Sequence, residues 1–270
     1  MAMKPVISIY VPGVRPHFWL QMYDSLCAND ISFELIFVGH IDPPYILPNN
    51  VLHLHTPVKP VQCAEIGFRL CQGEYCMYLA DDILLNPHAL DILYEKTKEK
   101  DGSAIFSCTP YINGRRIKTA SYRFFPADDI SQYREDSPIT PLGALYKKKW
   151  IRELGGIDRN FVCTAWDIDL AMRFYEQGGI CEFLEEAEAN EIVPSQSGRL
   201  ATEGEGDRLT LERFWTVRRT NITPEEEKTT VMYVDESLPL CILKKRTCPV
   251  ESFVDDNIGT LSQGPKGKWV

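Results

Sequence analysis

Nowhere in the 270 residues do about 18 apolar residues follow one another, the least that a membrane-spanning helix needs. Residues 1–14 lack the basic start and long apolar stretch of a secretory signal, so none is expected. Positive charge is also scarce, with 29 Lys and Arg against 38 Asp and Glu and a net charge of -9. A nucleic-acid groove or an anionic membrane surface needs a basic field, so neither is expected as the main partner. Nine cysteines are scattered without a CxxC pair, and their odd number argues against a disulfide framework. Reduced, mostly buried thiols in a cytoplasmic compartment are expected instead, and the sequon at Asn221 is then a chance match. Repeats and low-complexity blocks are missing as well.

What is present is ordinary globular material. Hydrophobic residues make up 44% and charged ones 25%, enough to build one large core or two modest ones. The first half alternates strand-like and helix-like stretches, the pattern of a mostly parallel sheet flanked by helices. Residues 6–11 are an apolar run stopped by Pro12-Gly13. Trp19, Met22, Tyr23 and Leu26 follow at helical spacing. Residues 34–38 and 74–80 read as further buried strands, 51–56 as a weaker one, and Ala64, Gly67, Phe68 and Cys71 mark a short helix. Asn86-Pro87 predicts a helix start, with Asn as the cap and Pro in the first turn. Residues 109–141 read as a long irregular loop, 147–154 and 164–177 as helices, and 182–191 as a strand. Beyond Pro194 the chain turns Gly-rich and polar over 195–207. A helix is expected over 209–219, a charged linker at 224–228, strands at 231–234 and 238–243, and a terminal tail.

The strongest local signal is Tyr78-Leu79-Ala80-Asp81-Asp82, an apolar strand that ends in two carboxylates. In an open α/β sheet the ligand crevice lies beyond the carboxyl ends of the strands. Adjacent carboxylates there can hold a hard divalent cation, which also takes phosphate oxygens. The plainer reading is that both are turn residues before a helix. The second signal is Thr164-Ala165-Trp166-Asp167-Ile168-Asp169, where Asp167 stands at a helix start. Thr164 and Asp167 have capping-box spacing, so cap and catalytic carboxylate are both open. Trp166 reads either as a sugar-stacking platform or as packing, and Asp169 as an acceptor contact or a tie from the helix to nearby backbone. His53 and His55, without a nearby carboxylate in the sequence, read as structural or solvent-facing. Arg115, Arg116 and Lys118 form a basic cluster, read as a solvated face before an anion contact.

Together, residues 6–180 resemble the family 2 glycosyltransferases of the GT-A fold. The first block runs from Ala64 through Gly73-Glu74-Tyr75 to Asp81-Asp82 and Pro87, and it is similar to the family's DxD region. The second comprises Gly143-Ala144-Leu145-Tyr146, Gly155-Gly156-Ile157-Asp158 and Trp166-Asp167-Ile168-Asp169-Leu170 with Arg173. The resemblance implies a mostly parallel sheet flanked by helices, with a catalytic domain over 1–195. Its donor half would be 1–85 and its acceptor half 86–195, followed by a lid-like loop and extension over 196–270. It implies Asp82 as metal ligand, Asp81 as support for the metal or the ribose, and Asp167 as general base. Val11, Pro12, His40 and Arg199 would complete the donor side, and Trp166 and Asp169 the acceptor side. Mn2+ or Mg2+ would be the cofactor. The chain departs from the family at Ala80, in place of the first DxD acid, and at Trp166, in place of the ED Glu. It departs again at Gly39-His40 and Ala64-Glu65, where the family often contacts the base.

The expected activity is therefore inverting transfer of a sugar from a nucleotide-sugar donor to an acceptor hydroxyl, with homo-oligomerisation open. A nucleotidyltransferase is the rival reading, although Pro12-Gly13-Val14-Arg15 is a poor version of its signature. An inactive carbohydrate- or nucleotide-binding relative is the other.

Overall fold

The structure is a computed structural model that describes residues 4–100, 104–112, 114–116, 122–124, 143–192, 201–215, 217–219, 240–242, 246 and 248–251. The expected features at Lys118, at Arg199, over 224–228 and 231–234 and in the tail lie outside these residues.

The scaffold is a mixed sheet between two layers of helices. β1 (Ile7–Pro12), β2 (Phe33–Gly39), β3 (Val51–His55) and β4 (Tyr75–Tyr78) are all parallel, in the order β3-β2-β1-β4. β9 (Ala144–Lys147) runs antiparallel to β4 and to β6 (Ala104–Ile112), and β10 (Ile180–Glu191) lies parallel to β6. β5 (Ile83–Leu85) closes that edge against β10, and β7 (Arg115–Arg116) pairs with β6. A small second sheet joins β8 (Tyr122–Phe124), β11 (Val217–Arg219) and β12 (Leu240–Ile242).

Strand alternation divides the core. Tyr10, Ile36, Val38 and Cys76 point to the layer of α2 (Pro60–Leu70), α4 (Lys148–Glu153), α5 (Trp166–Glu176) and α6 (Ala201–Phe214). Ile9, Val11, Leu35, Phe37 and Met77 point to the layer of α1 (Trp19–Leu26) and α3 (Ala89–Glu99). Both faces are covered, which is why these strands read as continuous apolar runs. Five of the described cysteines are buried and no disulfide forms among the described residues, where no helix is long and apolar enough to cross a membrane.

Four local expectations change. Asn86 does not cap α3; the helix starts at Ala89 after His88 at φ 63. The Asn86 amide instead accepts the Glu188 N–H at 2.8 Å, where β10 slips register between Leu184 and Glu188, so a bulge in a distant strand takes the side chain that the local pattern assigns to the helix. Residues 109–112 are the end of β6 rather than loop, because they pair with β10 on one side and, at Tyr111 and Ile112, with β7 on the other. Residues 201–207 are helical rather than loop, despite Gly204 and Gly206, and the helix expected to reach 219 ends at Phe214, with 217–219 pairing as a strand instead. Their helix is held by burial of Asp207, Leu211, Phe214 and Trp215, and tertiary packing overrides weak propensity. Finally, His53 and His55 do have a carboxylate: Asp42, from the loop after β2, reaches both, at 3.6 and 2.9 Å.

Candidate functional site

The chain leaves β1 toward β2 and β3, then returns to place β4 on the other side of β1. Such a reversal is where open α/β sheets place their ligand crevice, here at the carboxyl ends of β1 and β4. The ends of β1 and β2 approach closely there. A Cβ on Gly39 would stand 2.0 Å from the Gly13 carbonyl oxygen, so only glycine permits the contact. Gly13 N–H donates to the Val38 carbonyl at 2.8 Å and turns the chain toward Arg15.

Arg15 faces the two acids at the end of β4. Asp81 is 1% exposed and accepts four hydrogen bonds: the backbone N–H groups of Val14 and Arg15 at 2.8 and 2.6 Å, and the Arg15 guanidinium through Nε and Nη2. Arg15 Nη1 meets Asp82 Oδ2 at 2.7 Å. Both Asp81 oxygens are therefore engaged in holding the turn after β1, as a support to the site rather than an open ligand position. Asp82 gives one oxygen to Arg15, while its other carries no hydrogen bond among the described residues. A divalent cation fits this site only through that oxygen, with phosphates and water as its remaining ligands.

At the end of β4, Tyr78 lies within electrostatic reach of both the acid pair and Asp167 on α5. Burial raises its hydroxyl well above the usual range, and the negative charges of Asp167, Asp81 and Asp82 add to the effect. Tyr78 thus stays a neutral O–H between both carboxylate positions. Its ring meets Trp166 edge-on at 4.7 Å. Trp166 is 2% exposed, so it offers no open face to a sugar; the platform reading gives way to packing.

Asp167 is no helix cap. The N-cap of α5 is Ala165, at φ 62, without a side-chain cap bond. Asp167 Oδ1 accepts the Ile168 N–H at 3.0 Å, and the side chain keeps partial solvent contact. Burial pushes its carboxyl up to about 6; the Ile168 and Asp167 N–H groups oppose this, and the charge of Asp207 adds to it. Such a group is ionised at neutral pH yet basic enough to accept a proton.

Asp169 is fully buried and is also corrected as an acceptor contact. It accepts from Arg173 Nε at 2.9 Å, Trp215 Nε1 at 2.8 Å and Arg246 Nε at 2.9 Å, while Arg246 also pairs with buried Asp158. Every oxygen of that carboxylate already has a protein partner, and none faces a substrate.

Of the other donor-side candidates, Val11 and Pro12 are buried, with the Val11 side chain in the core on the α1 face, so only their backbone borders the crevice. His40 is exposed just after β2, and Arg199 lies outside the described residues. Arg15 and Asp207 were not singled out by sequence. A lone Arg after a Pro-Gly turn hints at the first, and nothing local marks the second. Among the described residues, three potential metal-ligating side chains gather only at Asp30, His88 and Asp91, away from this crevice. There Asp91 already accepts the backbone N–H groups of Asp30 and Ile31.

No protein-family model matches the chain, and no curated protein matches it. Among solved structures it is similar to S. aureus TarS, a glycosyltransferase, at 17% identity and a TM-score of 0.54. The match covers 78% of this chain and 40% of that one, so the chain spans about two fifths of the length of TarS. The likeness shows the fold, which is of the GT-A type.

Proposed function

We propose that the chain is a glycosyltransferase, akin to family 2, that moves a sugar from a nucleoside-diphosphate sugar to an acceptor hydroxyl with inversion. The observation that carries this reading is Asp167: a carboxyl at the start of α5, raised to about 6 by burial and close enough to Tyr78, at the carboxyl end of β4, to act on its hydroxyl as Asp81 and Asp82 do. A strand-end crevice suits the donor diphosphate, and a raised carboxylate on the neighbouring helix suits a base. Residues 1–85 form the donor half in this reading and 86–195 the acceptor half. Thiols that form no disulfide among the described residues favour a reducing, cytoplasmic setting.

In the reaction the acceptor oxygen attacks the anomeric carbon and its proton passes to an Asp167 oxygen. The bond from that carbon to the phosphate oxygen breaks, and the nucleoside diphosphate leaves with the electron pair. Tyr78 can donate its O–H within the site, and Arg15 fixes the acids of the crevice floor. Asp82 would hold a divalent cation, Mn2+ or Mg2+, whose charge offsets that of the diphosphate.

A panel of nucleoside diphosphates and their sugars, with and without Mn2+, identifies the donor by thermal shift, since a ligand of the native state raises its apparent stability. With that donor, Asp167→Asn is expected to lower transfer about 10² to 10⁴-fold at nearly unchanged donor affinity. Asp82→Asn is expected to weaken Mn2+ and nucleoside-diphosphate binding by calorimetry. An Asp167→Asn protein that transfers sugar at near wild-type rate would sink the reading.

A further inference from the structure

Asp207 lies on α6, 1% exposed, and its carboxylate accepts three consecutive backbone N–H groups: Val162 at 2.9 Å, Cys163 at 2.7 Å and Thr164 at 2.7 Å. These residues lead directly into α5. On the other edge of the same loop, the Val162 carbonyl accepts the Val61 N–H of α2 at 3.1 Å. Ala165 then turns at φ 62, a left-handed conformation that a non-glycine residue holds only where its surroundings impose it. Asp167 follows two residues later. On its far side, Asp169 takes the indole N–H of Trp215, at the end of α6, at 2.8 Å. The helix after residue 200 therefore grips α5 on both sides of Asp167.

We propose that Asp207 is the positioning residue for Asp167: it clamps the 162–164 loop and so fixes where Asp167 stands at the start of α5. This rests on the reading of Asp167 as the base of sugar transfer. Three N–H groups aimed at one carboxylate stabilise its negative charge, so the clamp and the charge come from the same ionised group. The titratable groups that meet Asp167 are Tyr78 on β4, Tyr146 on β9 and Asp207 on α6, with Cys163 of the loop facing Tyr78. Both tyrosines are held neutral by burial, with their hydroxyls raised well above the usual range. Asp207 is thus the formal charge that acts on Asp167 from a neighbouring element. A positional error near 1 Å in a reacting group costs on the order of 10²-fold in rate, which is the scale on which a loop clamp matters.

The test is the titration of Asp167 itself, followed by carboxyl 13C NMR on the full chain and assigned with Asp167→Asn. It needs no turnover, so its failure is distinct from failure of the transfer reading. In the wild type the resonance is expected to titrate near 6. In Asp207→Asn the midpoint should move down, and the acid limb of the pH–rate profile should move with it. Transfer near pH 7 should fall about 10 to 100-fold, mainly in kcat, with donor KM held. Asparagine turns an amide donor toward the loop N–H groups, so Asp207→Ser, which removes the charge without that clash, serves as the second variant. Thermal unfolding reports whether each variant is folded. A folded variant whose Asp167 midpoint and acid limb match the wild type overturns the proposal. Loss of folding in both variants overturns it too, since Asp207 would then be a structural anchor alone.

Discussion

Replacing Asp167 with Asn should stabilise the protein at neutral and alkaline pH while removing its activity. The folded chain keeps a proton on this carboxyl up to about pH 6, whereas the unfolded chain releases it near 3.8. Stability from the group is therefore full below pH 3.8 and is lost as pH rises through about 6. Two units or so of displacement correspond to about 3 kcal/mol, and solvent contact at the side chain reduces this to about 1–3 kcal/mol. Asn has the same shape, accepts the same Ile168 N–H and carries no charge to desolvate. Urea unfolding of both proteins should give curves that coincide near pH 4 and separate by about 1–3 kcal/mol at pH 8, with the variant the more stable. A helix cap behaves in the opposite way, losing about 0.5–2 kcal/mol when it is weakened. A variant less stable than wild type at pH 8, or a difference that does not change between pH 4 and pH 8, would refute the reasoning.

Two further outcomes follow from the packing. Asp169→Asn leaves Arg173 and Arg246 short of a buried counter-charge, so it should cost about 3–5 kcal/mol in chemical denaturation, and a loss under about 1 kcal/mol would contradict the buried network. Gly39→Ala puts a Cβ 2.0 Å from the Gly13 carbonyl and should both destabilise the fold and weaken nucleoside-diphosphate binding, because the β1 and β2 ends must part; unchanged binding would separate this contact from the donor site.

Much of the scaffold was legible in the residues themselves. The apolar runs at 6–11, 34–38 and 74–80 became β1, β2 and β4, and Trp19, Met22 and Leu26 became the buried face of α1. Those signals are local: burial on both faces of a sheet, or on one face of a helix, is written into neighbouring side chains. The same holds for an acid pair at a strand end, which marks a crevice before any partner is known.

Tertiary structure decided what each polar side chain does. Asp81 and Arg15 are 66 residues apart, and their pairing makes one of the two strand-end acids the anchor of a turn. Asn86 serves a bulge 102 residues away instead of its own helix, and Asp207 reaches a loop 43 to 45 residues earlier in the chain. A carboxylate or amide has the same local preferences wherever it stands, and its role is settled by whichever donors the fold brings to it. Burial acts in the same way on Asp167, whose carboxyl is raised by desolvation in the folded chain, with the charge of Asp207 adding to it. Periodicity places a strand or helix from the sequence, while charge and hydrogen-bond pairing depend on distances that exist only in the folded chain.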